Sequence, residues 1–234
     1  MRNSFLVLAA VCVAGTTMVV GLVKLDASPT YDPAPVQAKA PDGWVLVREE
    51  DWARLGEEPG HQLKRAHESF IKRDAKTAAA EIRKASAYLR ASGGHATHES
   101  RDVLATAVQE LELVAHRVQT GTVASVEELE SACARAQHAL ARHHYVKASE
   151  AWTKGQARRA GLYLKSSATH LEHSAFWAGH QLEHAGSAAL KESHIISAKM
   201  SEGAHVAVDD VGKGLTLFGA ELERMGSRIH AQRR

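Results

Sequence analysis

Apolar positions along this chain recur at helical spacing, and one set of them occurs twice. Ala66, Phe70, Ala75, Ala78, Ile82 and Leu89 are matched 82 residues later by Ala148, Trp152, Ala157, Ala160, Leu164 and Leu171. Glu68 and Lys72 match Glu150 and Lys154 at the same offset, and His61 and His98 match His143 and His180. A spacing that returns predicts a supersecondary unit that returns.

The pattern predicts a first helix over 61–72 and a second that starts after Asp74, a good N-cap, and stops at Gly93-Gly94. A third runs from Thr97 to Gly121, with Leu104, Val108, Leu111 and Val118 as its apolar stripe. Ser125 and Glu128 have the spacing of a capping box for a fourth helix, which Gly155 ends. A fifth begins near Gln156 and meets no strong stop before Ser201. Its seam reads Leu164, Ala168, Leu171, Ala175, Ala178, Leu182, Ala185, Ala189, in steps of four and three. A second heptad seam follows: Val208, Val211, Leu215, Phe218, Leu222, Met225, Ile229. The phase changes near Gly203, which predicts a turn between two helices. The second seam suits packing within a bundle or against a second copy. Glycines also recur by sevens, at Gly179 and Gly186 and at Gly212, Gly219 and Gly226. Each costs about 1 kcal/mol in a helix interior, so the period points to backbones in close contact. Local flexibility is the competing reading.

The N-terminus follows other rules. Residues 5–23 are mostly apolar, behind Arg2 and closed by Lys24. As a helix the run reaches about 28 Å, one hydrocarbon core, and predicts a membrane anchor over 1–24. A cleaved signal peptide is the alternative. Both place the rest of the chain outside the cytoplasm, in a periplasm-like compartment. Residues 25–60 read as a proline-rich linker with a short strand at 44–47 and a short helix at 49–55 around Trp52. Residues 61–234 form the helical domain.

Composition narrows the function classes. All five prolines fall between Pro29 and Pro59, and the remainder is rich in Ala, Glu, Lys and Leu. A net charge of +2 gives no case for nucleic acid. Of the two cysteines, Cys12 lies in the apolar run and Cys133 in a helical stripe with Leu129, Ala136 and Leu140, which predicts a buried, inert thiol. Ser166 and Ser167 lack a nucleophile elbow, and Asp209-Asp210 is an acidic pair on a heptad helix. No catalytic constellation is present, so no enzyme and no cofactor are expected.

Fifteen histidines are the compositional oddity. His170, His173, Trp177, His180 and His184 follow a three-four spacing on one side of the fifth helix. At about 100° per residue the stripe centres about 140° from the apolar seam, so it faces solvent or a second packing surface. His170, His173, His180 and His184 are the candidate ligands for a transition metal such as zinc. His143-His144 and His95/His98 can add to them only where the fold brings them near. The alternatives are histidines as half-polar packing groups, or an acid-responsive contact.

Each copy of the repeated pattern reads as a helix, a tight turn and an antiparallel helix. Trp152, Gly155, Ala160, Leu164 and Ser167 resemble the small-and-large alternation of a tetratricopeptide-type hairpin, and Phe70, Asp74, Ala78, Ile82 and Ala85 are similar. In size, export signal and alanine-rich hairpins the chain is also similar to the YfdX-type helical periplasmic proteins. That resemblance implies a stress-linked, non-enzymatic role and carries over no functional residue. The sequence thus predicts an all-α fold: hairpins duplicated into a bundle of about six helices, with long C-terminal heptad helices. The expected partners are the membrane, through the N-terminal segment, and protein, through helical surfaces or self-association.

Overall fold

The computed structural model describes residues 57–94, 96–123, 125–179, 184–202 and 206–231, together with three short strands. The chain divides into two units, Met1–Gly56 and Glu57–Arg234. In the first, β1 (Phe5–Leu8), β2 (Leu22–Leu25) and β3 (Val45–Leu46) form an antiparallel sheet in the order β2-β1-β3. Phe5 lies opposite Leu25 and Val7 opposite Leu46. The strand expected at 44–47 is β3. The ends of the apolar run are extended and paired with one another, where hydropathy predicts a helical span. Residues 9–21, the linker prolines and the helix expected at 49–55 lie outside the described residues. No helix among the described residues is long and apolar enough to cross a membrane.

The second unit is all-α. Its described residues form seven helices: α1 (Glu58–Ile71), α2 (Ala75–Gly93), α3 (His98–Gln119), α4 (Val126–Thr153), α5 (Ala157–Trp177), α6 (His184–Ser201) and α7 (Val208–Ala231). Each helix packs on its neighbours in sequence, and α4 lies at the centre against α1, α3, α5 and α7. Core positions follow the predicted stripes, including Ile82, Leu89, Leu104, Leu111, Leu129, Leu140, Leu164 and Leu171. Alanine fills most of the rest, which draws the helices close.

Local chemistry sets the boundaries. α1 starts three residues earlier than the sequence predicts, because Pro59 occupies its first turn, where a missing N–H costs nothing. Gly60 beside it is buried under the His173 ring, at a spot where a β-carbon would come within 2.6 Å. Asp74 caps α2 by accepting from the Thr77 N–H at 3.0 Å, and Thr97 caps α3. The capping box at α4 does not form. Ser125 makes no cap bond there, and Glu128 pairs instead with Arg117 of α3.

The α1–α2 and α4–α5 turns have the same hydrogen bonds at the 82-residue offset. Lys72, Arg73 and Asp74 donate to Glu68, Phe70 and Ser69; Lys154, Gly155 and Gln156 donate to Glu150, Trp152 and Ala151. Arg73 and Gly155 both take left-handed backbone, at φ 61° and 69°.

The predicted fifth helix is two helices. It stops at Trp177 because Gly179, at φ 64°, turns the chain out of the helical path. That break raises the helix number from about six to seven among the described residues. The glycine period therefore has three meanings. Gly179 is a turn, Gly212 has no neighbour among the described residues within 4 Å of where a β-carbon would sit, and Gly186, Gly219 and Gly226 are close approaches to the side chains of Glu221, Tyr145 and His138. The second seam lies within the body. Val211, Leu215, Phe218, Leu222, Met225 and Ile229 are buried, while Val208 is exposed.

Candidate functional site

The α4–α5 hairpin holds a polar rung ladder inside an apolar core. Small residues set it up. Gly155 allows the tight turn, and Ala134 and Ala141 bring the α4 backbone against Ser174 and Ser167 of α5. The Ser167 hydroxyl donates to the Ala141 carbonyl at 2.6 Å, and the Ser174 hydroxyl donates to the Ala134 carbonyl at 2.9 Å. Between these rungs the His170 Nδ1–H donates to the Gln137 Oε1 at 2.7 Å. Because an amide oxygen only accepts, this bond fixes the tautomer and leaves His170 Nε2 bare. Ser166, one residue from the ladder, bonds the Leu162 carbonyl of its own helix.

His144 completes the cluster. Its ring lies 5.3 Å from His170 and within 8° of parallel, 5.2 Å from His143, and 6.1 Å from Tyr163. Lys147 sits over the Tyr163 ring at 4.6 Å. His143, His144, His170 and Gln137 are all buried. Among the described residues, neither nitrogen of His144 has a hydrogen-bond partner, nor do His170 Nε2 and Gln137 Nε2. A buried polar group without a partner costs about 1–3 kcal/mol, so this is a costly arrangement.

Burial dominates the electrostatics. It drives the His170 pKa down to about 3, with His173 and His143 adding to the effect. Burial likewise holds His144 well below the usual histidine range, reinforced by His143, His170 and Lys147. His173, half-buried, is lowered by burial against the partly offsetting pull of Glu172. His194 goes the other way, raised by its hydrogen bond to Glu172. Cys133 is buried and its thiol is pushed up by that burial.

The structure separates the predicted metal residues. His170 faces α4. His173 packs on Gly60 of α1, and Trp177 meets His67 of α1 at 5.3 Å. The stripe is therefore a second packing surface over this stretch. His180 lies outside the described residues, and His184 opens α6 beyond the Gly179 turn, so the stripe is not carried by one continuous helix. Among the described residues no three His, Cys, Asp or Glu side chains are arranged to hold a metal. The His170–His144 contact depends on α4–α5 register, which helical spacing alone does not give. The 82-residue offset offers one signal. It maps His144 and His170 onto Gln62 and Tyr88, so the second hairpin carries two imidazoles where the first carries none.

A separate feature, on the surface, is an open groove of about 340 Å³ along the C-terminal half of α4, lined by Tyr145, Val146, Ser149, Glu150, Thr153 and Lys154. Tyr145 donates its hydroxyl to the Leu215 carbonyl of α7 at 3.2 Å. No protein-family model, curated protein or solved structure matches this chain.

Proposed function

We propose that the chain is a non-catalytic helical scaffold, tethered outside the cytoplasm by its N-terminal segment, that docks other proteins on its helical surfaces. The observation that carries this reading is the α4 groove. Its lining is mainly apolar, with Tyr145 and Val146 beside Glu150 and Lys154, which pair with each other at 3.9 Å, and this suits the apolar face of a partner helix. Exposed apolar residues elsewhere on the body, with Phe176 at 72% exposure, add contact surface of the same kind. The apolar run behind Arg2 supports the tether and the compartment.

A photo-crosslinking residue at Ser149, in the full chain expressed in its own cells, tests the reading. A discrete adduct that disappears with Val146→Glu supports a docked partner. An adduct pattern at Ser149 no different from that at exposed Thr106 contradicts it.

A further inference from the structure

We propose that the histidine cluster between α4 and α5 is an acid release: at about pH 5–6 this hairpin opens while the α1–α2 hairpin stays closed. The inference stands on packing and does not depend on the groove. His144 and His170 are fully enclosed, and among the described residues both nitrogens of His144 and Nε2 of His170 have no partner, so neither ring can hold a second proton in the closed hairpin without a buried, uncompensated charge. Opening the hairpin returns both rings to water, where they take protons readily below about pH 6.5. Acid therefore favours the open form.

The surrounding charges reinforce this. His144 is acted on by His143, His170 and Lys147, and His170 by His173 and His143, so every named neighbour is a base. Six carboxylates on the adjoining elements are paired elsewhere. Glu130 of α4 binds His67 of α1, and Glu110 of α3 binds Arg135. Glu128 binds Arg117 of α3, and Glu172 binds His194 of α6. On α7, Glu221 binds Arg224 and Glu223 reaches Arg142. From the α1 end, His61 and Glu57 act on His173 with opposite signs. The first hairpin carries Gln62 and Tyr88 at the equivalent places, and neither takes a proton in mild acid.

Hydrogen exchange on the full chain from pH 7.5 to 5.0, corrected for the intrinsic pH dependence of exchange, tests this. The α4–α5 opening constant should rise at least about tenfold per pH unit below 6.5, with α1–α2 changing less than about twofold. Exchanging the pair for the residues of the first hairpin, His144→Gln with His170→Tyr, should flatten the α4–α5 response, and His98→Gln, an exposed control, should leave it intact. A wild-type α4–α5 profile that is flat with pH overturns the proposal. So does an equal rise in both hairpins, or a double variant that keeps the wild-type slope. Where the double variant does not fold at pH 7.5, the wild-type contrast between hairpins decides alone.

Discussion

At the scale of single residues, the chain spends stability on imidazoles it cannot satisfy. His144 and His170 have pKa values held below their unfolded value of about 6.5, so their neutral forms favour folding at pH 7. Their stabilisation is fully present above about pH 6.5 and is lost as pH falls towards the folded values, by up to about 1.4 kcal/mol per unit for each histidine. Chemical denaturation at about pH 5.5 should therefore show the full chain about 2–3 kcal/mol less stable than at pH 7, with the loss reduced in His144→Gln/His170→Tyr. His194 works in the opposite sense, since its raised pKa gives a contribution that is present in acid and fades as pH rises. Backbone positions give further tests. Gly226→Ala drives a methyl to within 2.7 Å of the His138 ring, whose Nε2 is 2.9 Å from the Leu222 carbonyl, and should cost about 1–3 kcal/mol in thermal unfolding. Gly212→Ala meets nothing within 4 Å and should instead stabilise by about 0.5–1 kcal/mol. Arg73→Gly should also raise the melting temperature, because a side chain at φ 61° costs about 1 kcal/mol that Gly155 avoids.

At the scale of elements, helices were legible where apolar period and caps agree. Asp74, Thr97 and the stripes of α2, α3 and α4 all lie where the sequence puts them, since capping and burial there depend on neighbours one or two turns away. Two features escaped for a definite reason. The stop after Trp177 rests on Gly179, which sits in a heptad of glycines and so reads as a packing contact; only its positive φ shows it to be a turn. Ser125 and Glu128 have capping-box spacing, but a tertiary partner, Arg117, takes the glutamate. The histidine cluster was half legible. Spacing put His170, His173 and Trp177 on one side of a helix, but which helix covers them is a matter of tertiary register. α7 yields its own test. Its seam is buried against α4 and α6, held by Tyr145 to the Leu215 carbonyl and by Ile196 over Gly214. Leu222→Glu should therefore lower helical content and stability by about 3 kcal/mol or more, from an unpaired buried charge. Sedimentation showing a well-folded monomer released from an oligomer would contradict that account.

At the scale of the whole molecule, two hairpins with the same turn differ in what they enclose. Around α1–α2 the matched positions carry Gln62 and Tyr88; within α4–α5 they carry His144 and His170. The α4 helix also bears the groove proposed to dock a partner, so the element that would bind is the one whose packing responds to acid. The folded chain holds these imidazoles buried and uncharged. Long-range proton–nitrogen NMR of the full chain at about pH 6 measures this directly, in a range where exposed histidines are largely protonated. Neutral rings are expected at His144 and His170, with the His170 proton on Nδ1 alone. Imidazolium signals from either residue in the folded protein at that pH would contradict it.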